Sequence, residues 1–184
     1  MKSFRTKKWL KGLMLAMLLI VGSTVFSASA KEVQAATAGF KTIDGKTYYI
    51  KSDGSKQKGW MTLGVYKYYF NTKTGVQVKG WMKVNGKYTY YFTKGKGVMA
   101  TGWMTSSKGK KRYFAKNGVM AKGKKTISGS TYYFNTSTGI ATGGWVTIDG
   151  SKYYFDTKTF KMVTGSKKIN GVSYKFNSAG VMTY

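Results

Sequence analysis

From Gly39 onward, apolar and polar positions fall into short runs bounded by glycine, and the runs repeat. Each unit reads glycine, an aromatic, a half-apolar run, a turn and an aromatic strand. Examples are "FKTIDGKTYYI" from Phe40, "GWMKVNGKYTYYF" from Gly80 and "GGWVTIDGSKYYFDTKTF" from Gly143. Units start at Gly39, Gly59, Gly80, Gly102, Gly123, Gly144 and Gly165, 20 to 22 residues apart, and fill residues 39–184. Most contain a turn dipeptide: Asp44-Gly45, Asn85-Gly86, Asp149-Gly150, Asn170-Gly171 or the weaker Ser128-Gly129. Asn-Gly and Asp-Gly between apolar residues signal a tight hairpin, because both central residues must take positive φ. The Tyr- and Phe-rich run after the turn suits a strand. The pattern predicts an all-β fold: a solenoid of stacked β-hairpins, one hairpin per repeat.

Side chains alternate along a strand, so in "YYF" the first Tyr and the Phe share one face and the second Tyr takes the other. The Phe column (Ile50, Phe70, Phe92, Phe114, Phe134, Phe155, Phe176) is apolar in all seven units. The first-Tyr column admits Arg112 and the second admits Lys175. The Phe column is therefore the expected core, at about 1.5–3 kcal/mol per buried ring. A lone hairpin is marginal in water, whereas stacked neighbours bury each other's faces. The position after each unit's first glycine holds Phe40, Trp60, Trp81, Trp103, Lys124, Trp145 and Ser166. A column that admits Lys is a poor core position. Its tryptophans are expected at an accessible seam between hairpins, either as packing or as platforms for a ligand.

Residues 1–38 follow a different pattern. Five basic residues without an acid, then the apolar run "LMLAMLLIVGSTVF" and the small residues "SASA", read as a signal peptide over residues 1–30. The run is shorter than a membrane span requires, so membrane contact is expected only through this segment before cleavage. "VQAA" offers a second cleavage site as late as Ala36, and residues 31–38 read as a flexible tail. Of six leucines only Leu63 lies beyond the signal, so the mature chain folds on aromatics. It has no cysteine, and the stacking of repeats takes the place of disulfides.

The formal charge is +27, and +22 once residues 1–30 are removed, since that segment holds Lys2, Arg5, Lys7, Lys8 and Lys11 and no acid. This field attracts polyanions, but the lysines are spread through every repeat. That spread suits a diffuse anionic surface, and nucleic acid is not an expected partner. Catalysis has little material. There is no His or Cys, and Asp44, Asp53, Asp149 and Asp156 all occupy turn positions. The reading is a non-enzymatic chain with no metal and no cofactor.

The pattern "GW…NGKxYYFN…GxMxTGW" resembles the cell wall-binding repeats of Gram-positive surface proteins. These include choline-binding repeats, the glucan-binding repeats of glucansucrases and the repetitive tails of large clostridial toxins. The resemblance spans Gly39–Tyr184. It implies a hairpin solenoid with shallow ligand sites between hairpins, on a secreted, cell-wall-associated protein. Carried over by position, the ligand contacts are Trp60, Trp81, Trp103 and Trp145 with Tyr69, Tyr91, Tyr113 and Tyr154. The expected partner is cell-wall polysaccharide or teichoic acid; aromatic faces among lysines leave polyanion binding, to a host glycan, as an alternative. Choline binding and a purely structural or adhesin role stand as alternatives. Choline-binding repeats usually carry another aromatic just before the Tyr pair, where this chain has Thr47, Lys67, Thr89, Lys111, Thr131, Lys152 and Ser173. A lysine there repels the quaternary ammonium that aromatic faces would hold. A neutral sugar or an anionic wall polymer suits these residues better.

Overall fold

A computed structural model describes residues 36–183. The signal segment and most of the tail lie outside the described residues. Fourteen strands form seven antiparallel hairpins, with no helix among the described residues. Hairpin 1 pairs β1 (Gly39–Ile43) with β2 (Lys46–Ile50), and hairpin 2 pairs β3 (Gly59–Leu63) with β4 (Tyr66–Phe70). Hairpin 3 pairs β5 (Gly80–Val84) with β6 (Tyr88–Phe92), and hairpin 4 pairs β7 (Gly102–Thr105) with β8 (Lys111–Phe114). Hairpin 5 pairs β9 (Gly123–Ile127) with β10 (Ser130–Phe134), and hairpin 6 pairs β11 (Gly144–Ile148) with β12 (Ser151–Phe155). Hairpin 7 pairs β13 (Gly165–Ile169) with β14 (Val172–Phe176). Every hairpin starts at the glycine that opens its repeat.

The turns follow their residues. Asp44-Gly45, Ser128-Gly129, Asp149-Gly150 and Asn170-Gly171 all have positive φ at both positions, the two-residue closure that matches strand twist. Asn85-Gly86 shares the conformation inside a three-residue loop ending at Lys87.

After each aromatic strand the chain turns back and one residue bridges to the strand's last aromatic: Phe70 to Gln77, Phe92 to Met99, Phe155 to Met162 and Phe176 to Met182. The same residue's N–H donates to a carbonyl of the preceding hairpin. Gln77 N–H meets the Thr47 oxygen at 2.7 Å, Met162 N–H that of Thr131 at 2.7 Å and Met182 N–H that of Lys152 at 2.8 Å. One backbone bond per repeat thus ties each hairpin to the one before it, satisfying polar groups that would otherwise be left at an open edge. The Phe column is the core, with Phe70, Phe92, Phe114, Phe134 and Phe155 at 0% exposure. The first-column Tyr48, Tyr68, Tyr132 and Tyr153 are buried beside it, and the second column is only half-buried. The alternation expected from "YYF" is the alternation observed.

Candidate aromatic clefts between hairpins

Strand register places each Trp opposite the second-column Tyr of its own hairpin: Trp60 with Tyr69, Trp81 with Tyr91, Trp103 with Tyr113 and Trp145 with Tyr154. Each pair meets edge to face, with centroids 5.1, 4.8, 5.4 and 5.1 Å apart. The indole also leans onto the following hairpin. Trp60 lies 5.2 Å from Tyr90, Trp103 5.0 Å from Tyr132 and Trp145 4.9 Å from Tyr174. Beneath each lies the next hairpin's core ring, Phe92, Phe134 or Phe176, at 5.6–5.9 Å. The four indoles nevertheless stay 42–50% exposed. Held against neighbouring rings, each leaves a half-exposed apolar face at the seam.

All eight residues expected to contact a ligand are therefore paired, Trp with Tyr, at the seams. Their surroundings differ. The cavity beside Trp145, about 350 Å³, is lined by Val146, Thr147, Lys152, Tyr174 and Met182. The one beside Trp103, about 230 Å³, is lined by Thr105, Lys111, Tyr132, Thr159 and Phe160. A cavity of about 370 Å³ adjoins Trp81, Lys83, Thr89, Arg112 and Lys122. Hairpins 1 and 2 enclose another with Phe40, Thr47 and Tyr68. In these four cavities the second wall is the first-column residue of the next hairpin, while the second-column Tyr steadies the indole (or Phe40) from the partner strand of the same hairpin. Tyr113 additionally lines a separate hollow with Tyr66, Lys67 and Met99. The Thr/Lys column does line the clefts, through Thr47, Thr89, Lys111 and Lys152.

Sequence reasoning missed the first-column tyrosines as cleft walls, and it missed Phe160. In the other hairpins the Phe160 position is glycine with positive φ; Phe160 takes φ 62° itself. A Cβ on Gly139 or Gly180 would come within 2.5 Å of the sulfur of Met120 or Met162. Beneath Phe160 the bridging residue is Ala141 instead of Met, and the ring packs there with Tyr132 and Phe134. Gly143 lets the turn backbone pass close by, since a Cβ there would sit 2.8 Å from Thr157 Cα and 3.3 Å from the Asp156 carbonyl oxygen. Lys111 Nζ lies 5.6 Å from the centre of that ring, within cation–π range. The signal was visible as the one break in a glycine column, paired with Ala141 in a bridging column whose other members, Lys56, Gln77, Met99, Met120, Met162 and Met182, all carry long side chains.

Carboxylates contribute little chemistry. Asp156 is held down to about 2 chiefly by the Thr159 N–H and then its hydroxyl, against a desolvation cost that outweighs either of the lesser aids, the Lys158 N–H and the Lys167 ammonium. Asp53 is lowered mainly by Ser55. Among the described residues no three His, Cys, Asp or Glu come together.

Against known proteins, the choline-binding repeat family model matches residues 59–102, 100–142 and 141–184, and a cell wall binding repeat model matches 38–56. The structure is similar to choline binding protein F from Streptococcus pneumoniae, with 31% identity over 80% of this chain and 52% of that one, at a TM-score of 0.73. CbpJ from Streptococcus pneumoniae TIGR4 is similar at 27% identity, with the same coverage and a TM-score of 0.74. Choline binding protein F crystallised in the presence of a peptidoglycan analogue, a tetrasaccharide-pentapeptide, aligns at 30% identity, again over 80% and 52% of the two chains, at a TM-score of 0.73. The chain thus spans about half the length of these structures. No curated protein matches. With three consecutive matches running from residue 59 to 184, the chain belongs to the choline-binding repeat family.

Proposed function

We propose that this chain is an exported attachment module, without catalysis of its own, which holds to the cell wall through the aromatic clefts between its hairpins. Removal of residues 1–30, or of up to 36, would release it to the surface. The observation that carries the reading is the repeated cleft itself: an exposed indole fixed between its own hairpin's Tyr and the next hairpin's core. Each cleft is shallow, so retention comes from several linked weak contacts on one polymer. The wall of Thr and Lys beside the indoles favours sugar rings and anionic groups of cell-wall polysaccharide or teichoic acid. Choline on teichoic acid is the second reading, favoured by the repeat family. The proximity of Lys152 to Trp145 in one cavity and of Lys111 to Trp103 in another weighs against it.

Co-sedimentation of the chain with insoluble Gram-positive walls tests both. The expected result is retention that persists with free choline and declines only modestly with salt, and that weakens in Trp145→Ala. Release by choline alone would establish the second reading. Loss by salt alone would assign binding to the lysines. No retention would leave a structural repeat.

A further inference from the structure

Six hairpins carry Tyr, and hairpin 4 carries Arg112, at the first position of the aromatic pair. The cleft that this position walls, between hairpins 3 and 4, differs in chemistry from the rest. Its lining includes Trp81, three cations (Lys83, Arg112 and Lys122) and the hydroxyl residues Thr89, Ser137 and Thr138, with no acid. Trp81 is fixed as in the other clefts, 4.8 Å from Tyr91 and 6.1 Å from Phe114. The guanidinium takes the place of the missing ring, its carbon 5.1 Å from the Trp81 centroid. Its orientation is set from a third hairpin, because Arg112 Nε donates to the Thr138 carbonyl at 3.0 Å. Thr138 is itself held by Asn135, whose Oδ1 accepts from the Thr138 N–H at 2.8 Å.

This arrangement reverses what an aromatic cage selects. A cage of rings attracts a cation, whereas a stacked guanidinium flanked by two ammonium groups attracts an oxyanion. With Nε committed to the backbone, the terminal nitrogens are the part of the fork suited to bidentate contact with phosphate or carboxylate. Trp81 supplies a flat apolar face of the size of a sugar ring. We propose that the cleft between hairpins 3 and 4 binds an oxyanion carried on a sugar, the ring lying on Trp81 and the anion held by Arg112 with Lys83 and Lys122. The inference deepens the wall-binding reading and rests on its premise that the clefts are ligand sites.

The test follows the Trp81 indole N–H in nitrogen-15 NMR spectra of the full chain, assigned with Trp81→Phe. The chain is titrated with glucose 6-phosphate, glucuronate and glucose. At least one anionic sugar is expected to shift Trp81 saturably, at about tenfold or more lower concentration than glucose, a gap of one charge-assisted contact. The stronger of the two names the oxyanion. Arg112→Tyr restores the residue of the other hairpins, so it is expected to fold, to abolish that preference and to leave the Trp145 resonance unmoved. Lys122→Gln is expected to weaken the anionic sugar about two- to fivefold through loss of one flanking charge. Equal response to glucose, an unchanged preference in Arg112→Tyr, or parallel salt-sensitive shifts of every indole would each overturn the proposal. Wall co-sedimentation of the same samples separates the two failures. Retained wall binding without an anionic preference at Trp81 defeats this inference alone, and absent wall binding defeats the broader reading.

Discussion

The clefts on either side of hairpin 5 are built from the same backbone and hold opposite contents. Between hairpins 4 and 5, Trp103 rests on Tyr132 and Phe134, with Phe160 closing the far side. Between hairpins 5 and 6 the tryptophan position is Lys124, whose Nζ sits 4.7 Å from the centre of the Tyr153 ring. Phe155 beneath that lysine is as fully buried as Phe134, and Tyr133 lies 5.9 Å from it. The ties between hairpins also match: Ala141 N–H reaches the Lys111 carbonyl at 2.9 Å and Met162 N–H that of Thr131 at 2.7 Å. Stacking therefore depends on the buried Phe and the backbone ties, not on the indole. In hairpin 5 the chain's own ammonium stands over the next hairpin's Tyr153, where the other seam has its indole.

If that separation of roles holds, the largest effect comes from the core. Phe134→Ala leaves a void between hairpins 4 and 5 and is expected to cost about 3–5 kcal/mol, read by chemical denaturation. Because a solenoid's stability is carried by nearest-neighbour contacts, its unfolding transition should broaden or split. Lys124→Trp, at the matching seam, is expected to leave stability within about 1 kcal/mol, since that seam already folds without an indole. It should instead raise wall retention by opening an additional platform on Tyr153. Loss of stability equal to that of Phe134→Ala would put the indole column in the core after all.

A smaller effect separates the two clefts at their far walls. Ala141→Met should overpack Phe160, costing about 1–3 kcal/mol. Adding Phe160→Gly to it recreates the Met–Gly pairing of hairpins 4 and 5 and should recover most of the loss. The two changes would then be coupled, by about 0.5–3 kcal/mol in a double-mutant cycle on denaturation. Additive effects would mean that Ala141 and Phe160 are not a matched pair.

The same two clefts show where sequence reading runs out. Alternation in "YYF" and the Asp-Gly and Asn-Gly turns are local rules, so the hairpins, the buried Phe column and the exposed Trp seam were all legible. Which residue of the next hairpin faces Trp103 depends on the rotation from one hairpin to the next, and no local periodicity encodes it. By alternation Tyr132 and Tyr174 are consequently assigned only to the face of the Phe column, though each also walls a cavity. Phe160 hid for a different reason. It occupies a turn position with φ 62°, where steric logic expects glycine, and its ring packs where Ala141 stands in place of a longer bridging side chain.

The last contrast concerns what holds Phe160 in that turn. The Asp156 carboxylate accepts from the Thr159 N–H at 2.8 Å and its hydroxyl at 3.0 Å, and from the Lys158 N–H at 3.1 Å. Phe160 N–H closes the turn on the Asp156 carbonyl at 2.7 Å. Hairpin 5 builds the same turn on neutral Asn135, with Thr138 N–H at 2.8 Å from its Oδ1. Lys167 lies 3.4 Å from Asp156, a partly exposed pair that solvent and salt screen. Since folding lowers this carboxyl from the ordinary 3.8 to about 2, its contribution is complete above pH 3.8 and disappears as pH falls through about 2. Melting followed from pH 5 to pH 2 should therefore show an acid-sensitive component that Asp156→Asn removes. At pH 7 that variant should keep the turn, because the amide oxygen accepts the same two N–H groups. A phenylalanine-ring NMR probe on Phe160 should loosen with acid in the native chain while one on Phe134 does not. Equal acid response at both rings would place the sensitivity in the array as a whole and not in this turn.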